Sequence, residues 1–370
     1  MSQLSPNELL KRNSRSFYLT LRVLPAAVRP QISLAYLLAR TTDTIADTEI
    51  VSPTLRLDAL DRLRERILGI SNDTLVFDEL IQQQGSADER QLLRATDATL
   101  AALKRLNPGD LKLVREVLET IISGQELDLQ RFASVARGSV RWGGAADEPA
   151  REYARPTEVS ERSHHPSASG TDIVALQNDE ELDDYTYRVA GCVGKFWTQL
   201  CAANAFNAAE RRRFASSFEY EQLGIRFGKG LQLVNILRDL PADLRKGRCY
   251  IPADKLRELN LAPGELLRPE NEPRFRPLYD RYLDLAESHL TAGWEYTNLI
   301  SRRRINLRLA CAWPILIGLE TIKKLRAESV LDASQRVKVS RDEVRSIILR
   351  SILRYPFKNS WRAMAKFNHE

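Results

Sequence analysis

Two short runs of oxygen-bearing side chains are the first places where this sequence could do chemistry. In Arg40-Thr-Thr-Asp43-Thr-Ile-Ala-Asp47 two acids stand four residues apart, so on a helix both carboxylates leave one face about a turn apart. Arg40, three residues before Asp43, shares that face. Like charges so placed repel, and the pair calls for a cation. In Gln232-Leu-Val-Asn235-Ile-Leu-Arg238-Asp239-Leu-Pro-Ala-Asp243, the side chains of Asn235, Asp239 and Asp243 recur at i, i+4 and i+8, with Gln232 on the same stripe. A polar stripe on an otherwise apolar helix is unfavourable to bury without partners. Hard oxygen donors suit magnesium, which keeps several waters and is shared between carboxylates and phosphates. Arg245-Lys246-Gly-Arg248 follows at once. Two such helices with arginines beside them would hold a magnesium–diphosphate cluster, the metal stabilising a leaving pyrophosphate. For the first run alone, a solvated helix end is the competing reading.

The elements that must position these side chains read as helices. The chain has 370 residues, 43% of them apolar and 28% charged, with only 17 Gly and 16 Pro, a composition that favours helix over sheet and allows a substantial core. From about Pro6 to Phe132 apolar residues recur at helical spacing, with breaks near Ser52-Pro53, Gly85-Ser86 and Asn107-Pro108; Pro just after Ser or Asn is a common helix start. Residues 138–180 hold Gly143-Gly144, three prolines and Ser167-Ala-Ser-Gly170, and read as a loop-like insertion. The adjacent His164-His165 in it have no partners at ligand spacing and read as solvated. Helical pattern resumes near Leu182, a link spans 261–277, and three further helical stretches end near Arg362. No strand pattern or solenoid repeat is found. The expectation is a single all-α domain over residues 1–370.

Several classes are excluded or left open by the same reading. Cys192, Cys201, Cys249 and Cys311 are scattered, which argues against a zinc or disulfide framework and for a reducing, cytoplasmic setting. The N-terminus shows no signal-peptide pattern. The apolar run 309–319 falls short of the roughly 20 residues of a membrane span and reads as a core helix, with Arg302-Arg303-Arg304 and Lys323-Lys324 flanking it so that peripheral membrane contact stays open. The net charge of +6 is compatible with anionic partners. No nucleic-acid role is expected, because the arginines sit beside carboxylates that would repel a phosphate backbone.

Five segments, in order from about Ser14 to Arg341, resemble the squalene and phytoene synthases. Ser14-Arg15-Ser16-Phe17 is similar to that family's opening motif, and 40–47 and 235–243 resemble its two aspartate-rich motifs. Ile121-Ile-Ser-Gly-Gln-Glu-Leu-Asp128-Leu resembles a further segment, and Tyr185-Thr-Tyr-Arg-Val-Ala-Gly191-Cys-Val-Gly194 its tyrosine-rich signature. The resemblance implies a helical isoprenoid-synthase bundle around a central apolar cavity. It further implies diphosphate held by Arg15, Arg40 and Arg238, and Mg2+ held by Asp43 and Asp47 and by Asn235, Asp239 and Asp243. Tyr185 would lie near the developing cation, although a packed aromatic is the commoner role for tyrosine. This chain departs from the pattern at Ala46 and Ala242, where relatives often carry an acid. Pro241 should bend or end its helix near 237–240, which puts Asp243 in question.

The implied reaction is head-to-head condensation of two farnesyl diphosphates through a cyclopropyl diphosphate, then reduction by NADPH to squalene. The alternatives are a non-reducing phytoene, dehydrosqualene or hydroxysqualene synthase, and a non-catalytic assembly-factor relative, which should have lost acids that are all present here. No Gly-x-Gly-x-x-Gly follows a strand, so a Rossmann site is not expected. Val337-Lys338-Val339-Ser340-Arg341 resembles a basic segment with which squalene synthases bind NADPH, making Lys338 and Arg341 cofactor candidates. It reads equally as a basic turn before a helix, with Ser340 as N-cap and Glu343 three later.

Overall fold

Helix starts and stops follow the local chemistry of the chain. A computed structural model describes residues 6–13, 17–138, 173–215, 218–332 and 337–365, and the fold is all-α. Short helices α1 (Pro6–Asn13) and α2 (Phe17–Val23) lead into α3 (Arg29–Asp47), which carries the first acid pair. In α4 (Pro53–Leu68), the Ser52 side chain accepts from the Leu55 amide at the start, and Gly69 closes the end at φ 79°, a left-handed cap that suits glycine. The helices α5 (Asp78–Gln83), α6 (Ala87–Arg94) and α7 (Thr96–Leu103) connect to the long α8 (Pro108–Gly138). The Asp110 amide donates to Asn107 Oδ1 at 2.9 Å there, as the Asn-Pro start implied.

Beyond residue 172, the strand β1 (Val174–Ala175) precedes α9 (Asp179–Thr186), a π-helical turn at Tyr187–Gly191, and α10 (Cys192–Asn204). Next come α11 (Ala208–Ala215), α12 (Phe218–Arg245) with the second acid set, β2 (Arg248–Cys249) and α13 (Ala253–Glu258). Two 3₁₀ turns, Pro263–Leu267 and Pro269–Asn271, lead to α14 (Glu272–Leu299), α15 (Ile305–Ala327), α16 (Arg341–Arg354) and α17 (Lys358–Arg362). One core cluster gathers α3, α4, α8 and α10, and another gathers α12, α14 and α15; Val23 and Phe227 pack against both.

Three boundaries differ from the sequence reading. Strands β1 and β2 pair in parallel, Val174 with Arg248 and Ala175 with Cys249, too short a bridge to leave an alternating pattern. Helix resumes at Asp179, where Asn178 accepts from the Glu181 amide as N-cap. The link is shorter than expected, since α14 begins at Glu272 and takes Pro277 into its body. The 139–172 part of the expected insertion, with His164 and His165, lies outside the described residues, as does Arg15.

The largest correction concerns Pro241, which does not end its helix: α12 runs on to Arg245. A proline lacks the amide that would bond the carbonyl four residues earlier, here that of Leu237. The buried Tyr279 of α14 supplies the missing donor, its hydroxyl meeting Leu237 O at 3.0 Å. Asp243 therefore stays on the helical stripe. Packing of α10 on α12 is close enough to need glycine: a Cβ on Gly194 would lie 1.9 Å from Gly224 O.

Helix α15 corrects the length estimate for the apolar run. Among the described residues it is the one helix long and apolar enough to cross a membrane, yet 72% of its apolar window is buried inside the protein. It serves as a core helix, as read.

Replacing Tyr279 with Phe removes the donor that keeps α12 intact past Pro241. Leaving a buried carbonyl unsatisfied should lower stability by about 1–3 kcal/mol in urea unfolding. An unchanged unfolding midpoint would show that α12 does not depend on that hydroxyl.

Candidate active site

Helices α3, α4, α8, α9 and α12 and the β2 segment surround a cavity of about 810 Å³. Asp43 and Asp47 enter from α3, Gln125 and Asp128 from α8, and Gln232, Asn235, Asp239 and Asp243 from α12. Tyr185 enters from α9, Arg56 from α4, and Arg245, Lys246, Arg248 and Tyr250 from the end of α12 and the β2 segment. The wall is graded. Asp47, Asn235, Arg245 and Lys246 are exposed, whereas Ile121, Leu129, Phe132 and Ile236 are buried. The cavity wall thus combines buried apolar side chains with a dense set of acids and cations.

The acids are crowded, and the cations near them offset their burial and repulsion only in part. Burial, then repulsion from Asp47, raises the Asp43 carboxyl to about 6 against the pull of Arg40 and Gln125. Asp243 is raised to about 7 by burial and then by Asp239. Asp128 is raised to about 6, chiefly by burial; Asp47 adds to its shift, and Asp128 in turn adds to that of Asp243. Asp128 therefore couples the α3 acids to the α12 acids. Gln125 Nε2 donates to Asp43 Oδ1 at 2.5 Å, and the Tyr250 hydroxyl to Asp128 Oδ2 at 2.8 Å. The Tyr185 and Tyr250 rings stack with centroids 4.7 Å apart, and burial pushes both phenols above their ordinary range. They stay neutral.

Cations reach the cavity from the basic turn after α12 that the sequence singled out, and from Arg56, which it did not. Glu49, just past α3, pairs with Lys246 at 3.3 Å and Arg248 at 3.1 Å, tying the basic turn to the first acid helix. Arg248 also lies 5.8 Å from the Phe132 ring centre. Arg56 is 3% exposed and donates through Nη1 to Ala46 O at 2.6 Å. Its Nε, Gln125 Oε1 and Asp128 Oδ1 are buried without a hydrogen-bond partner, and all three residues line the cavity. Such groups are rare and call for a reason. A bound cation and anion would satisfy them.

The structure brings together Asp43, Asp47, Asn235, Asp239, Asp243 and Tyr185 of the expected site, and leaves others elsewhere. Arg40 pairs with Glu89 and lies 3.9 Å from Asp43 without lining the cavity. Arg238 pairs with its neighbour Asp239 and is likewise not on the wall. Lys338 and Arg341 are exposed and line no part of the cavity. Ser340 and Glu343 there form the capping box of α16. Missing from the sequence reading were Arg56, Gln125 and Tyr250. Gln125 and Tyr250 lay within or beside segments already singled out; Arg56 had no signal, because only packing shows that it is buried.

The squalene/phytoene synthase family profile matches residues 10–343. This chain belongs to that family. A 15-cis-phytoene synthase of Synechocystis is 26% identical over 276 residues, covering 75% of this chain and 63% of the relative. A squalene synthase of Saccharomyces cerevisiae is 25% identical over 265 residues, covering 72% of this chain and 49% of the relative. The chain thus spans less than two thirds of the length of these relatives. In fold it is similar to a solved complex of TcSQS with the ligand E5700, at TM-score 0.70 and 18% identity over 99% of this chain and 92% of that one. A dehydrosqualene synthase complex gives TM-score 0.59 at 19% identity, covering 94% and 95%.

The site fits the magnesium that squalene/phytoene synthases use with diphosphate substrates. Among the described residues no cluster of three or more His, Cys, Asp or Glu side chains could hold a metal unaided. Magnesium commonly takes one or two carboxylates and completes its shell with water and substrate phosphate. The spare oxygens of Asp128 and Gln125 and the mutual repulsion of the acids suit that arrangement.

Carboxyls raised by burial bind protons in the folded state that the unfolded chain releases, so their effect on stability worsens as pH rises. For Asp243 the window runs from 3.8 to about 7. Asp243→Asn should therefore stabilise the metal-free protein at pH 8, with the gain shrinking as pH falls towards 5, while turnover drops by about 10²-fold. Thermal melts at both pH values check this; a variant less stable than wild type at pH 8 would contradict it.

Proposed function

We propose that this chain joins two farnesyl diphosphates head to head, through a cyclopropyl diphosphate, and that NADPH reduction to squalene completes the reaction. The observation that carries the condensation is the meeting of the α3 and α12 acids around Asp128 on one cavity with an apolar wall. When bound, magnesium would supply positive charge to the departing diphosphate. Asp43, Asp47, Asn235, Asp239 and Asp243 would hold it, while Arg56, Lys246 and Arg248 bind phosphate oxygens. Loss of diphosphate leaves an allylic cation; the other substrate's double bond attacks it, and the tertiary cation so formed closes the cyclopropane by losing a proton, which the released diphosphate takes up. Departure of the second diphosphate then leaves the cation that hydride from NADPH quenches. Tyr185 and Tyr250 offer π-faces to that cation. The Asp128–Tyr250 hydrogen bond holds the second ring in place. The apolar residues Ile121, Leu129, Phe132 and Ile236 keep water from quenching the cation. We read the whole chain as one domain.

Support for reduction rests on the likeness of 337–341 to a cofactor segment. A non-reducing finish is the second reading, favoured by the capping box that accounts for Ser340 and by the placement of Lys338 and Arg341 outside the cavity lining. Incubation with farnesyl diphosphate and Mg2+, with and without NADPH, separates the two. Squalene formed only with NADPH is the expected product. A C30 product unchanged by NADPH would overturn the reductive step, and no pyrophosphate release from farnesyl or geranylgeranyl diphosphate would overturn the condensation.

A further inference from the structure

Far along the chain from the cavity's acids, α16 and α17 show a face of unusual composition. Leu349 is 58%, Ile352 47%, Leu353 62% and Phe357 65% exposed. On α16 the first three share one stripe by helical spacing, and Phe357 follows just beyond the helix end. Single exposed apolar residues need no explanation, but a contiguous set does. The opposite side of α16 is fixed: Ile347 and Ser351 are buried, Trp313 Nε1 donates to Ser351 Oγ at 3.0 Å, and Lys324 pairs with Glu343 at 3.0 Å. Trp361 of α17 stacks on Trp294 with centroids 5.1 Å apart. The apolar stripe is therefore held outward by the fold.

Its charge is one-sided. The acids of α16, Asp342 and Glu343, lie in its first turn and pair with Arg345 and Lys324; from Ser346 to Ala365 the sequence holds Arg350, Arg354, Lys358 and Arg362 and no acid. The turn before α15 adds to it: Arg302 donates to Tyr355 O at 2.9 Å and Pro356 O at 2.8 Å, and Arg303 next to it in the chain is exposed. The pairing brings together two basic stretches that are about fifty residues apart in the chain.

We propose that the α16–α17 face is a docking surface for an anionic lipid bilayer. Leu349, Ile352, Leu353 and Phe357 enter the boundary of the acyl chains, and Arg350, Arg354 and Lys358 meet the headgroups. Apolar side chains ringed by cations are what an interfacial helix presents to such a surface. A second copy of this chain fits poorly, because a two-fold pairing sets the same patch against itself and opposes like charges. The surface needs no assumption about which product the cavity makes.

The test uses the full chain, without substrate, in flotation with vesicles of equal parts phosphatidylcholine and phosphatidylserine, and with phosphatidylcholine alone. Wild type should float with the mixed vesicles, and high salt should weaken that association. Leu353→Ser with Phe357→Ser should weaken it at least about tenfold, and Arg350→Glu with Arg354→Glu by a similar factor. All four side chains are exposed, so melting temperature should hold; if the serine variant misfolds, the glutamate variant carries the test. Failure of wild type to float with phosphatidylserine, or undiminished flotation of the folded variants, overturns the proposal. Concentration-dependent dimerisation lost in the serine variant, without vesicle association, would assign the face to a second copy and also overturn it.

Discussion

Like charges facing one another across a single cavity are the constraint on which the rest of the molecule depends. Asp43 and Asp47 on one side, Asp239 and Asp243 on the other, and Asp128 between them cannot all ionise at ease in a half-buried space. Burial and mutual repulsion hold three of them near neutral pH. The protein supplies only partial relief, through Gln125, Arg248 and the phenol of Tyr250. An arrangement that is costly when empty and favourable with a cation and an anion inside is a binding site that sacrifices stability of the free protein. The buried Nε of Arg56 and the spare oxygens of Asp128 and Gln125 are the same statement at the level of single atoms.

The scaffold exists to keep that crowding in place. α12 must remain helical through Pro241 or Asp243 leaves the stripe, and Tyr279 from the neighbouring helix makes this possible. Glycine contacts let α10 approach α12 closely, and the π turn joins α10 to the helix bearing Tyr185. The parallel β1–β2 bridge fixes the segment carrying Arg248 and Tyr250, and the Glu49 ion pairs join that segment to the end of α3. Remote packing and local electrostatics thus serve one geometry.

Much of this was legible in the residues. Helical periodicity, the Ser52 and Asn107 starts, and the i, i+4, i+8 spacing of Asn235, Asp239 and Asp243 are local signals, and the structure follows them. What escaped is non-local. Pro241 reads as a break until Tyr279 is seen opposite Leu237. Arg56 looks like a surface arginine until α4 packs beside α3. Arg40 and Arg238 looked free to bind phosphate, but each has an acid close by, Glu89 from another helix and Asp239 in the next position. The segment around Lys338 carried two readings in sequence; its capping geometry was the one local chemistry could specify.

The claim that the cavity holds diphosphate together with magnesium is tested most directly by calorimetric titration with a non-ionising thio-analogue of farnesyl diphosphate. Binding should be tight with Mg2+ present, and affinity should fall by about 100-fold or more in EDTA or after Asp43→Asn or Asp239→Asn substitution. Equal affinity with and without the metal, or binding indifferent to those two carboxylates, would contradict it.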